Sequence, residues 1–156
     1  MAENQQILFI DDDVGLRDEM LVLFPNYRIR VCDRIGAALE LSTQQAFSAY
    51  VLNLSLPDGS GFGLCQKIRA FDSNTPMIVI SIHDSESYRK HAQEVGAHGF
   101  WTKSEDLNRL KHMVENCIYE SRVRSFEAKR AEFEAIREER NSSAARRSCA
   151  RPRCDK

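Results

Sequence analysis

The sequence has no apolar run approaching the ~20 residues of a membrane span. Its opening six residues are polar and the run that follows, residues 7–10, is too short for the core of a secretory leader, so none is expected. Neither sign of charge is in excess: 22 Lys and Arg stand against 23 Asp and Glu, a net charge of −1. That balance leaves no whole-chain electrostatic case for nucleic acid or for a membrane surface. Cysteine is present without a pattern. Cys32, Cys65, Cys117, Cys149 and Cys154 form no CxxC pair and no His/Cys cluster of zinc spacing. Three of them lie in apolar-periodic segments, as small core hydrophobes in a reducing cytoplasm would. His91, His98 and His112 are scattered at spacings that suit no metal.

What is present is alternation. Short apolar runs at residues 7–10, 49–52 and 76–80 read as buried strands, residues 27–31 alternate like a strand, and residues 98–102 read as a fifth. Between them, residues 14–24, 35–46, 60–71 and 86–95 carry helical spacing, and another helix begins after Ser104. Pro25 ends the first helix, Asp33 is an N-cap candidate for the second, Ser60 for the third, and Gly96 closes the fourth. Strict β-α alternation with short connections predicts an α/β fold: a parallel sheet, doubly wound, with helices on both faces. The last helix has a core-facing stripe of Leu107, Leu110, Val114 and Cys117, then turns heavily charged. Glu120/Arg124 and Arg130/Glu134 are i,i+4 pairs of opposite sign. Val123, Phe126, Phe133 and Ile136 fall roughly on a 3.5-residue repeat interrupted by Arg130, a weak coiled-coil signal. The expected organisation is a compact domain over 1–119, a charged helical extension over 120–140 and a disordered Ser/Arg-rich tail over 141–156.

In such a sheet the C-terminal ends of the strands converge, and ligands bind there. The expected strand ends carry Asp11 and Asp12, Asn53, Ser81 and Lys103. Two adjacent carboxylates repel, and a hard cation such as Mg²⁺, which takes oxygen ligands, relieves that repulsion. A hydroxyl and an ammonium opposite them grip an anionic oxygen. Together these are the parts of a phosphoryl-transfer site. Asp13 continues the acidic run as an exposed or helix-capping acid rather than a ligand, and Asp58-Gly59 reads as turn chemistry.

Over residues 7–117 the sequence resembles the receiver domain of two-component response regulators. "ILFIDDD" is similar to the family's acidic-pair strand, and "LNLSLPDGSG" to its phosphoacceptor strand and loop, with Asn53 at the acceptor position. "PMIVISIHD" and "GAHGFWTK" resemble the fourth and fifth strands. The wording is closest to receivers of the nitrate-regulator class. The resemblance implies a flavodoxin-like (βα)5 sandwich of strand order 2-1-3-4-5. It implies Mg²⁺ held by Asp12 directly, by Asp11 through water, by the side-chain oxygen at Asn53 and by the backbone carbonyl of Ser55. Ser81 and Lys103 would act on the phosphoryl group, Ser81 and Phe100 would be the switch pair, and His83 would modulate hydrolysis. The module would signal rather than act as an enzyme. Its partner would be a sensor histidine kinase or a phosphotransfer protein. A homodimer through the C-terminal helix and the face of helix four, strand five and helix five would be possible. No direct contact with membrane or nucleic acid is implied.

The sequence departs from the family at two places. Asn53 has no anionic oxygen to attack phosphorus, so it forms no acyl phosphate. It marks either an Asp→Asn variant or a natural pseudo-receiver adaptor that signals by binding alone. Ser104 stands where receivers often have proline, and a trans bond is expected there. A remote alternative is a haloacid-dehalogenase-like phosphatase built on Asp11-x-Asp13. Gly15 and the lack of a second acidic pair after Lys103 argue against it.

Overall fold

The structure is a computed structural model and describes residues 5–150. The elements in chain order are β1 (Gln6–Ile10), α1 (Val14–Leu23), β2 (Arg28–Cys32), α2 (Ile35–Gln44) and β3 (Ala49–Asn53). A short hairpin follows, β4 (Ser55–Leu56) and β5 (Gly59–Ser60). Then come α3 (Gly61–Arg69), β6 (Met77–Ser81), α4 (Glu86–Glu94), β7 (Gly99–Thr102) and α5 (Leu107–Cys149). The main sheet is parallel, ordered β2-β1-β3-β6-β7. This is the expected flavodoxin-like order, with the two hairpin strands intervening in the numbering. No described helix is long and apolar enough to cross a membrane.

The central strands are continuously apolar because both faces of the sheet are covered there. Every residue of β3 and β6 is buried. Leu8, Ile10, Tyr50, Leu52, Met77 and Val79 face α2, α3 and α4, which contribute Ile35, Leu64, Ile68 and Ala92. The alternate residues Ile7, Phe9, Val51, Ile78 and Ile80 face α1 and α5, which contribute Leu16, Met20, Leu110, Val114 and Ile118. Trp101 is buried in this second layer and donates its indole N–H to the Asp106 carbonyl at 3.2 Å. Cys117 is only half-buried, and Ile118 takes the last core-facing position of α5.

Asp13 caps α1, Ser60 caps α3 and Ser85 caps α4 through their side-chain oxygens. The second helix departs from expectation. Its N-cap is Arg34, which makes no side-chain cap, and Asp33 does not fill that role. Asp58, at the turn of the hairpin, reaches across instead and accepts from the amides of Ile35 at 2.8 Å and Gly36 at 3.3 Å. At the opposite end of the sheet the Arg69 guanidinium donates to the carbonyls of Asp72, Thr75 and Gly96. It thereby joins the loops that enter β6 and β7.

The chain divides into two compact units, Met1–Ser121 and Arg122–Lys156. In the second unit residues 122–149 are helical and exposed. The expected disordered tail from Asn141 is therefore corrected as far as Cys149. Ala144, Ala145, Arg146 and Arg147 are good helix formers, and no Gly or Pro interrupts them before Pro152. The rest of the expected tail, residues 151–156, lies outside the described residues.

Candidate functional site

Three strand ends, those of β1, β3 and β7, meet around one buried carboxylate. Asp11, directly after β1, is fully buried. Its Oδ1 accepts from the Asp13 amide at 3.0 Å and from Asn53 Nδ2 at 3.0 Å. Lys103 Nζ lies 3.1 Å from its Oδ2 and 3.3 Å from Asp13 Oδ2. The contact with Asp11 is an ion pair without hydrogen-bond alignment, so Oδ2 is buried with no hydrogen-bond donor. Burial pushes the Asp11 carboxyl up from its ordinary range, against the Asp13 amide and the Lys103 ammonium, which pull it down. Asp13 shows the opposite balance: the Leu16 amide, with Lys103 adding to it, holds its carboxyl below the usual value.

Lys103 is carried by the loop after β7, whose backbone is fixed on two sides. Its amide donates to the Ser81 carbonyl at 2.9 Å, and the Glu105 carboxylate accepts from the Thr102 amide at 2.8 Å. Among the described residues no peptide bond is cis, in line with serine at 104. Asp12 is exposed beside Asp11.

Asn53, the last residue of β3, is 6% exposed. Its Nδ2 donates to Asp11 Oδ1 and, at 2.9 Å, to the Ser55 carbonyl, while its Oδ1 accepts from the Ser55 amide at 3.4 Å. The partners decide this orientation: a carboxylate and a carbonyl only accept, and the Ser55 N–H only donates. The amide nitrogen faces Asp11 and the Ser55 carbonyl, because both have lone pairs and no proton to give. Gly61 closes this corner, since a Cβ there would collide with the Asn53 carbonyl.

Asp11, Asp12 and the Ser55 carbonyl are hard oxygen donors, and Asp11 Oδ2 already faces the Lys103 ammonium at 3.1 Å. The residue types thus fit Mg²⁺, although Asn53 Nδ2 occupies the lone pairs of two of the expected ligands. Among the described residues no three His, Cys, Asp or Glu side chains converge, so a cation here would draw on carbonyl oxygen and water as well. When bound, Mg²⁺ would offset negative charge on a phosphoryl oxygen.

Ser81, at the end of β6, is buried, and its Oγ accepts from the His83 amide at 3.0 Å. Asn53, Ser55, Ser81, His83 and Tyr88 line one cleft of about 410 Å³. Lys103 instead lines a groove on the α1 side with Asp13 and Trp101. Phe100 is buried, with the Arg89 guanidinium 4.8 Å from its ring centroid, and Asp84 holds Arg89 at 2.8 Å. The sequence reading missed Arg89, Glu105 and the cap made by Asp58. Arg89 and Glu105 belonged to no motif, and Asp58 read only as turn chemistry because the amides it caps, Ile35 and Gly36, lie far away in the sequence.

A family model described as "Response regulator receiver domain" matches residues 7–115. The chain belongs to that family. The receiver is 30% identical over 129 residues to the response regulator protein PilR of Pseudomonas aeruginosa, an alignment covering 81% of the chain and 28% of PilR. It is 26% identical over 120 residues to the transcriptional regulatory protein FixJ of Bradyrhizobium diazoefficiens, covering 76% of the chain and 58% of FixJ. It thus spans less than two thirds of either relative. The solved non-phosphorylated HemR receiver domain from Leptospira biflexa is 29% identical, with a TM-score of 0.68 over 73% of the chain and 94% of that domain. Receiver domains of response regulators are signalling modules rather than enzymes, and this one is a two-component receiver by family.

Proposed function

We propose that this chain is a receiver module of a two-component phosphorelay that accepts no phosphoryl group, because the acceptor position is Asn53. The observation that carries the reading is the hydrogen bonding of Asn53 Nδ2 to Asp11 Oδ1 and the Ser55 carbonyl. At that depth on β3 an aspartate would be the nucleophile; an amide has no anionic oxygen to attack phosphorus, and its nitrogen lone pair is delocalised into the carbonyl. Asp11, Asp12 and Ser55 form the Mg²⁺ pocket, Ser81 and Lys103 flank the acceptor, Phe100 is the switch aromatic and His83 overhangs the cleft. A sensor kinase or phosphotransfer protein of the cytoplasm is the partner, and the module occupies it without completing transfer. The amide is satisfied on both its polar atoms, which favours a second reading: a pseudo-receiver adaptor that signals by binding alone.

Incubation with acetyl phosphate and Mg²⁺, followed by intact mass, tests the proposal. The chain is expected to stay unmodified, and Asn53→Asp is expected to gain the mass of one phosphoryl group in a reaction that requires Asp12 and Lys103. A phosphoryl adduct on the unaltered chain that maps to β3 would overturn it.

A further inference from the structure

The second unit exposes large apolar side chains on a helix that is otherwise mostly charged. Val123 is 37% exposed, Phe126 and Phe133 each 68%, and Ile136 49%. Phe126 and Phe133 are one heptad apart. With Val123 at an a position, Phe126 and Phe133 fall at d, Arg130 at a, and Ile136 at the flanking g. Arg130 stands at a between the two phenylalanines, its side chain exposed and its Nε bonded to Glu134 Oε1 at 3.0 Å.

The charges beside the stripe name the occupant. The g positions 122 and 129 are Arg and Lys, and the e positions 127 and 134 are Glu. In a parallel, in-register pair, g of one helix faces e of the next heptad on the other. Arg122 then meets Glu127 and Lys129 meets Glu134, twice each by symmetry. In an antiparallel pair, g faces g and e faces e, so every one of those contacts joins like charges. The aromatic layers agree: parallel pairing stacks Phe126 on Phe126 and Phe133 on Phe133, whereas antiparallel pairing sets d against a and Phe against Arg. Arg137 and Arg140 take the next core positions and end the seam.

We infer that residues 122–136 form a parallel, in-register two-stranded coiled coil with a second copy of this chain. The inference is independent of the phosphoacceptor reading, since no residue of the site takes part. A seam of two heptads is short, so the dimer is concentration-dependent, with a dissociation constant on the order of 100 µM or below.

Sedimentation equilibrium on the full chain tests it, with far-ultraviolet circular dichroism to confirm that each variant remains folded. The double variants Arg122→Glu/Lys129→Glu and Glu127→Lys/Glu134→Lys are each expected to weaken dimerisation about tenfold or more. Their equimolar mixture is expected to recover it. Phe126→Ala/Phe133→Ala is expected to be monomeric. Arg140→Cys, with Cys149 and Cys154 changed to serine, reports direction. Parallel pairing places the two thiols side by side for oxidation to a disulfide. An antiparallel pair centred on the same seam holds them about 30 Å apart, at ~1.5 Å of rise per residue. A full chain that stays monomeric at about 500 µM, charge variants that associate like the unaltered chain, or the absence of the 140–140 disulfide would each overturn the inference.

Discussion

At the scale of single residues, position 53 is a donor where the surrounding oxygens are built for a cation. The NH2 of Asn53 spans Asp11 Oδ1 and the Ser55 carbonyl, and Lys103 stands at Asp11 Oδ2. The site is neutralised from within. Changing Asn53→Asp removes that donor and sets a second carboxylate beside a buried one. In metal-free buffer it is expected to cost about 2 kcal/mol or more of stability, from unsatisfied acceptors and like-charge repulsion. Mg²⁺ at millimolar concentration should return much of it. Urea denaturation of both proteins with and without Mg²⁺ measures this, and an Asn53→Asp chain as stable as the original without metal would contradict it. The sequence made the site residues legible, because each follows an apolar strand. It did not show which end of the Asn53 amide faces inward. That depends on whether distant neighbours donate or accept, and only the folded arrangement sets Asp11 and Ser55 against it.

At the scale of elements, the apolar runs and helical spacings were readable because burial on both faces of a parallel sheet leaves continuous apolar strands. The start of α2 was not, because its capping carboxylate lies 23 residues away in the chain, on the hairpin. Asp58 is exposed, and its carboxyl is held below the ordinary value chiefly by the Ile35 amide. A folded-state value lower than the unfolded one fixes the sign. The cap is complete above the unfolded value of 3.8 and is lost as pH falls through the lower folded value. The amide resonances of Ile35 and Gly36 are therefore expected to titrate together, with a midpoint below 3.8. Asp58→Asn should abolish that titration. Amides that titrate unchanged in the variant would assign the effect to another group.

At the scale of the whole molecule, the receiver keeps the Cys32 and Cys65 thiols inside and the second unit displays that of Cys149. Burial pushes the thiols up to about 11 for Cys32 and about 12 for Cys65, which leaves almost no thiolate at neutral pH. Cys149 is exposed. An aromatic disulfide reagent is expected to modify Cys149 within minutes and to leave Cys32 and Cys65 untouched until urea unfolds the receiver. Peptide mapping distinguishes them, and early labelling of Cys65 would show the core to be open. The expected break at Asn141 failed for a reason of scale: Ser and Arg suggest a solvated tail, but a run without Gly or Pro can simply prolong a helix already begun. The Arg69 guanidinium bears on the molecule as a whole as well. It ties two loops at the edge of the sheet away from the strand ends that carry Asn53. A planar cation with five donors can hold several carbonyls where an ammonium would serve fewer. The framework is thus anchored at one end and the chemistry placed at the other, so a side chain such as that at position 53 can be exchanged, and a signalling property altered, without rebuilding the scaffold that presents it.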